Sequence, residues 1–478
     1  MNYKIIAYTL GWVLNIEAAC LVLPLICSVI YKEPTVGILG ICIILCLVFG
    51  ILLTIKSPKN KAIYAKEGFV TVALAWIVMS IFGSLPFVLS GYIPSFVDAL
   101  FETVSGFTTT GASILSDVEA LPKSLLFWRS FTHWIGGMGV LVFLIAILPL
   151  SGGNNMHLIK AESTGPSVGK IVPKVKSTAK ILYGLYILLT VIEIVLLLVY
   201  GLDIFSAITL SFGTAGTGGF GVLNSSIGDY SAPIQIIITI FMFLFGVNFS
   251  LYYLLLLGKV RDVLKSSELK TYFAIVTIST ILICINCADM FESISDALRH
   301  SAFQVASIIT TTVYSTCDFD LWPSFSKTIL VLLMFIGACA GSTGGGIKVS
   351  RIIILFKSII KEVKLAVHPK STHKITMDGH ILEHNVIRVT NVYMASFIAI
   401  FVVSLLIASL DNFDFTTNFT AVSAMINNIG PGLAGVGPTQ NFSQFSVITK
   451  LTFILDMLIG RLEIFPIMVL FSPYTWRK

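Results

Sequence analysis

The sequence predicts an all-α polytopic membrane protein, with two N-terminal transmembrane helices followed by four repeats of helix, half-length helix and helix. Three observations predict it. Of 478 residues, 56% are hydrophobic and 12% charged, with mean hydropathy +0.92, whereas soluble domains carry about 25% charged residues. Apolar runs long enough to span a bilayer, which takes about 20 residues, recur along the whole chain. Between some of them lie shorter apolar stretches that end in Thr-, Gly- and Asn-rich turns.

Candidate spans fall near residues 5–31, 36–55, 68–90, 125–150, 180–201, 232–257, 271–290, 325–340, 389–410 and 446–472. The first follows Met1-Asn2-Tyr3-Lys4 without a small-residue cleavage site, so it reads as a membrane helix rather than a signal peptide. The half-length stretches are 98–108, 204–216, 297–311 and 415–427, the length expected of re-entrant segments. Basic residues gather in Lys56 to Lys66, Lys160 to Lys180, Lys259 to Lys270, Arg351 to Arg388 and Arg477-Lys478. Alternate loops carry Asp98, Asp117, Glu119, Asp203, Asp229, Asp318, Asp320, Asp411 and Asp414. The positive-inside rule therefore predicts cytoplasmic termini and half-length segments that enter from outside. The acidic rim would concentrate cations at the outer mouth. Because the +6 net charge is dispersed between apolar segments, it predicts a lipid environment and no nucleic-acid partner.

The four turns are Thr109-Thr110-Gly111-Ala112, Thr217-Gly218-Gly219-Phe220, Thr311-Thr312-Val313-Tyr314 and Asn428-Ile429-Gly430-Pro431, the last preceded by Asn427. Their centres recur roughly every hundred residues, the signature of parallel repeats. The corresponding divisions are an N-terminal two-helix segment 1–67 and repeats at 68–179, 180–268, 269–387 and 388–478. Each unit crosses twice, so all four share one orientation and can stand around an axis along the membrane normal.

Such an arrangement suits a cation. Each half-helix would point its C-terminal end, about half a negative charge, toward the membrane centre. Carbonyls of the extended turn beyond it can replace the ion's water shell. The chemistry needs fixed oxygens rather than carboxylates, so Thr109 to Ala112, Thr217 to Phe220, Thr311 to Tyr314 and Asn427 to Gly430 are the candidate ligands. Gly337 to Gly346 is a run of small residues that makes a poor lipid-facing helix, since each glycine costs about 1 kcal/mol against alanine. Within it Gly341, Ser342, Thr343, Gly344, Gly345 and Gly346, with Lys348 following, form a candidate gate beneath the turns. Arg461 stands in the last helix between Asp456 and Glu463. A central arginine costs about 2.5–3.5 kcal/mol to insert, so it should face inward and bond either the small-residue loop or those acids.

Other signals are weaker. Gly216 to Gly221 matches a dinucleotide fingerprint, and Gly341 to Lys348 approaches a phosphate loop, but neither follows a soluble strand. Cys284 and Cys287 form a C-x-x-C with no second pair. His380-Ile381-Leu382-Glu383-His384 matches H-x-x-E-H and, with His368 and His373, defines the competing reading of a membrane-embedded metal enzyme. A catalytic zinc would need a third protein ligand; a solvated docking surface explains these histidines better. His133 and Glu193 read as packing groups rather than proton relays.

Beyond these patterns, the chain resembles the Trk/Ktr/HKT superfamily of potassium transporters, and within it the bacterial TrkH-type membrane subunits. The resemblance rests on Ser105 to Ala112, Trp134 to Gly139, Ala161 to Pro166, Gly341 to Lys348, Asn427 to Gly432 and Gly460 to Glu463. It implies four helix–pore-helix–helix units around a pseudo-fourfold pore in each chain and a non-enzymatic function, K⁺ uptake across the bacterial inner membrane. It implies a homodimer and a cytosolic TrkA-like ring that binds nucleotides, leaving none on this chain. It further implies that the loop from Gly341 to Lys348 gates the pore and that Arg461 contacts it. A Na⁺- or H⁺-coupled symporter is the alternative within transport. The chain departs from the family at Val313, where glycine is usual. A β-branched residue in that conformation would be an outlier, so the third turn should be either differently folded or strained.

Overall fold

A computed structural model describes residues 1–59, 63–147, 175–370 and 373–477; for 138, 140–147 and 175–179 it describes the backbone alone. The motif at 161–166 and the end of the span at 125–150 lie outside the described residues. Among the described residues the regular structure is helical apart from a short hairpin pairing Thr376–Met377 with His380–Ile381.

Helices α1 (Tyr3–Ile30) and α2 (Val36–Thr54) pack as an antiparallel hairpin at the periphery. The first repeat is α3 (Ala65–Leu89), the half-helix α4 (Phe96–Phe107) and α5 (Lys123–Ile147). The second is α6 (Val175–Val199), half-helix α7 (Ile204–Gly216) and the pair α8 (Ala232–Phe245) and α9 (Phe249–Leu256). After the short α10 (Val260–Lys265), the third comprises α11 (Ser267–Asn286), half-helix α12 (Ile294–Ile309) and α13 (Ser324–Ile336), then the amphipathic α14 (Val349–Val367). The fourth is α15 (His384–Ala408), half-helix α16 (Phe415–Ile426) and α17 (Val447–Arg461), followed by α18 (Phe465–Phe471) and α19 (Pro473–Trp476). Among the described residues, six helices are long and apolar enough to cross a membrane, or seven if α8 and α9 count as one span.

Two expected spans are broken. The apolar run at 232–257 bends by 89° between α8 and α9. Gly246 accepts a hydrogen bond from Cys339 N (3.1 Å), and Asn248 caps α9 through Ser250 N (2.9 Å), so the freed backbone is satisfied inside the protein. The run at 446–472 breaks after Arg461, where Glu463 and Ile464 take positive φ values of 57° and 70°. The span expected at 325–340 stops at Ile336 because Gly337 turns the chain with φ +72°. A windowed hydropathy average does not register these breaks, because the few polar residues at them, Asn248 and Glu463, are outweighed by apolar neighbours.

All four half-helices begin in the same way. Ser95 accepts from Asp98 N, Asp203 from Ser206 N, Ser293 from Asp296 N and Asp414 from Thr417 N. Serine and aspartate are preferred at this position because their oxygens satisfy an orphan N–H of the first turn.

Candidate functional site

The half-helices also end in the same way. Thr109, Thr217, Thr311 and Asn428 each take a left-handed conformation, with φ of 57°, 56°, 60° and 54°. Each donates its N–H three residues back, and the next residue donates five back: Thr110 N to Ser105 O, Gly218 N to Gly213 O, Thr312 N to Ser307 O and Ile429 N to Ala424 O, all 2.8–2.9 Å. This is the Schellman arrangement, in which glycine usually takes the left-handed place. Here threonine does so three times, although β-branched residues rarely adopt that backbone.

The chain then runs extended past each helix end. Among the described residues no donor reaches the carbonyl oxygens of Thr109 to Gly111, Thr217 to Gly219, Thr311 to Val313 or Asn428 to Gly430. Buried carbonyls are normally paired, so a dozen free oxygens in four matching segments is a concentrated acceptor site.

The turns meet one another and close a ring. A Cβ added at Gly111 would overlap Gly218 O, and one at Gly219 would overlap Thr312 O. A Cβ at Gly430 would lie 2.6 Å from both Gly111 O and Val313 Cγ1. Asn428 Nδ2 also donates to Thr110 Oγ1 (3.0 Å) and to Met457 O (2.8 Å), tying the fourth turn to the first and to α17. Ala112, Phe220 and Tyr314 are buried just beyond the ring.

Val313 holds φ +76°, matching Gly111 (+78°) and Gly219 (+71°). Of the two outcomes expected for the third turn, strain is the one observed. Its side chain extends into the space between Gly111 and Gly430. The ring is uneven in a second way that the sequence does not signal: Gly430 lies outside the left-handed region.

The small-residue loop lies directly against two of these turns. Gly345 N donates to Thr311 Oγ1 (2.7 Å) and Gly346 N to Asn427 O (2.9 Å). Its far side is held by Thr343 Oγ1 on Phe245 O (3.3 Å) and by Phe249 N on Gly341 O (3.1 Å). Lys348 is buried and donates to Gly344 O, while Ser342 caps back onto Cys339 O (2.6 Å). Arg461 donates to Thr343 O (2.8 Å) and to Gly136 O (2.7 Å). Of the acids flanking it, Asp456 accepts from Ser404 (2.8 Å) and Glu463 pairs with Arg351.

Several residues of this site carry no obvious sequence signal. Glu268 accepts from Ala340 N (2.7 Å) and Ser350 N (3.2 Å), holding both ends of the loop. Behind the first turn, Glu102 pairs with Arg129 at 2.6 Å. Both pairs join residues far apart in sequence, which periodicity cannot connect. His133 donates through Nδ1 to Gly106 O (2.8 Å), whereas neither carboxylate oxygen of buried Glu193 finds a partner among the described residues.

At the acidic end, Asn224 joins the loops that follow the first two turns. It donates from Nδ2 to Asp117 (2.9 Å) and accepts from Val118 N (2.8 Å). The Asn224 amide holds the Asp117 carboxyl below its usual range. Lys450 pairs with Asp98 at 2.6 Å on the same side. His380 lies on the hairpin and His384 opens α15, so H-x-x-E-H does not form one helical face. Among the described residues no group of three metal-binding side chains assembles.

Four capped half-helices, aimed with their C-terminal ends at one ring of free carbonyls inside a polytopic bundle, are the architecture of a membrane transport protein for cations. The chain belongs to the TrkH family of cation transport proteins, whose profile matches residues 39–477; it is a transport protein and not an enzyme. It is 35% identical to the Trk system potassium uptake protein TrkH of Escherichia coli K12 over the full length of both. It is 33% identical to an uncharacterized cation transporter of Methanocaldococcus jannaschii, covering 99% of this chain and 96% of that one. The crystal structure of the potassium transporter TrkH from Vibrio parahaemolyticus superposes with a TM-score of 0.90 at 31% identity, covering all of both chains.

Proposed function

We propose that the chain carries K⁺ uptake, with the ring of unclaimed carbonyls serving as its selectivity filter. One observation carries the reading. Thr109 to Ala112, Thr217 to Phe220, Thr311 to Tyr314 and Asn427 to Gly430 follow four half-helix C-termini, where the macrodipole favours a cation, and among the described residues no donor reaches the carbonyls of Thr109 to Gly111, Thr217 to Gly219, Thr311 to Val313 and Asn428 to Gly430. The potassium uptake named for its relatives agrees with that chemistry. Potential alone can drive inward flux, at about 2.3 kcal/mol per charge per 100 mV.

The loop from Gly341 to Lys348 is the gate in this reading. Its hydrogen bonds to Thr311 and Asn427 place it against the ring on the side of the chain termini, and Arg461 fastens it. The repeat boundaries follow the half-helices, with the termini and the basic loops on the cytoplasmic side of the cell membrane. A cytosolic nucleotide-binding ring acting on a homodimer would release the loop, with nucleotide bound by the partner. The purified protein in liposomes tests the core of this: a reversal potential that follows the K⁺ gradient supports it. Absence of K⁺ flux with the loop deleted from Ser342 to Gly345 would overturn it.

A further inference from the structure

Resting on the filter reading, we propose that the buried Glu102–Arg129 pair is a positioning element that sets ion selectivity at the seam between the first and second turns. Glu102 projects from α4 and is 1% exposed. Its carboxylate accepts from Ile114 N (2.9 Å) and from Ser113 Oγ (3.0 and 3.1 Å), fixing the extended chain just past Ala112. Arg129 comes from α5, 4% exposed, and donates from Nε to Glu102 at 2.6 Å. Its Nη1 donates to Gly221 O (3.1 Å), just past Phe220 of the second turn. The guanidinium also stacks 3.5 Å above the Phe220 ring. Phe220 in turn packs 4.1 Å from His133, which holds Gly106 at the end of α4. One charged pair thereby grips the outer ends of two adjacent turns.

Among the described residues no ion pair grips the outer ends of two turns at the other seams; Lys450 and Asp98 join α17 to the start of α4, away from the turns. The third turn is braced by Tyr314 Oη on Leu210 O (2.9 Å) and Ser307 Oγ on Tyr314 O (2.5 Å). The fourth is held by Leu433 N on Thr420 Oγ1 (2.9 Å). Neutral hydroxyls are adequate to hold a turn. A buried ion pair is costly to desolvate, and apolar packing of equal volume often stabilises as well. What the pair supplies that packing does not is direction: the carboxylate fixes several donors at once and the planar fork several acceptors. A carbonyl ring discriminates K⁺ from Na⁺ through the number and geometry of its oxygens, so an error at this seam moves up to two of the four walls.

The test compares Na⁺/K⁺ permeability ratios from bi-ionic reversal potentials of purified protein in bilayers. Glu102→Gln keeps the shape but removes the charge; the ratio should rise about tenfold, equivalent to about 1.4 kcal/mol of discrimination, while total flux persists. Arg129→Lys keeps charge without the fork and should give a smaller rise, and Glu102→Asp should recover part of the wild-type ratio. If the single variants fail to fold, the double variant Glu102→Leu with Arg129→Met fills the volume and should still show the raised ratio. An unchanged ratio in any folded, conducting Glu102→Gln or double variant overturns the proposal. The wild type separates the two readings: no K⁺ current sinks the pore itself, whereas normal current with an unchanged variant ratio sinks only the brace.

Discussion

Gly345→Ala tests the proposed gate. Gly345 has no left-handed backbone, so alanine adds no conformational strain and acts through its methyl alone. That methyl would overlap Asn427 O and come 3.1 Å from Asn428 Cβ. Both neighbours belong to the fourth turn, which Asn428 anchors to α17 through Met457 O, so the loop is the partner that must move. Overpacking costs about 1–3 kcal/mol. Moving the loop also gives up Gly345 N to Thr311 Oγ1 and Gly346 N to Asn427 O, at about 1 kcal/mol each. The seated loop should therefore lose roughly 3–5 kcal/mol, some of which relaxation recovers. Since about 1.4 kcal/mol is a factor of ten, basal Rb⁺ uptake into liposomes without any cytosolic partner should rise about 10- to 100-fold. Gly40→Ala, where a Cβ meets nothing, should leave uptake unchanged. A folded Gly345→Ala protein with wild-type or lower uptake would refute the gating argument.

Arg461→Ala removes charged donors from Thr343 O and Gly136 O, each bond being worth about 1.5–3 kcal/mol; basal uptake should rise in the same assay, and unchanged uptake would make Arg461 a packing residue. Val313→Gly relieves about 1–2 kcal/mol of left-handed strain but adds about 0.5–1 kcal/mol of chain entropy. Its melting temperature should therefore shift little while the K⁺/Na⁺ permeability ratio rises; a constant ratio would mean that valine suits the filter. Asp117 is held below its usual range by Asn224, so its stabilising contribution is present above the ordinary value near about 3.9 and is lost as pH falls through the lowered folded value. Acidification below about 4 should release the loop link, read as a lower amide-exchange protection factor at Val118, whose N–H is held by Asn224 Oδ1, and Asp117→Asn should abolish that transition.

How much of this was legible depends on range. The four half-helices were legible because a short apolar run with a polar end is a local pattern, and 204–216 coincides with α7. Their N-caps at Ser95, Asp203, Ser293 and Asp414 were equally local and could have sharpened the boundaries. Arg461 turned inward because insertion cost left it few alternatives. The 89° bend at 246–248 was only faintly legible in Gly246 and Asn248, because the partner that satisfies the freed Gly246 carbonyl, Cys339 N, is nearly a hundred residues away. Glu102 with Arg129, and Glu268 with the loop, were invisible for the same reason: each is a pair only after folding. The conformation of Gly430 was opposite to what its residue type suggests, because its neighbours Gly111 and Val313 set the available space.

The ring is assembled from one chain rather than from identical subunits, and this changes how it can evolve. In a channel made of four copies, a codon change alters every wall together, and an intermediate solution is inaccessible. Here each quarter is inherited separately. A valine can enter at 313 while glycine persists at 111, 219 and 430, and each wall can carry its own bracing. Ion preference in such a pore can drift by single steps, one wall at a time, with the remaining three keeping the passage intact while the fourth is tried.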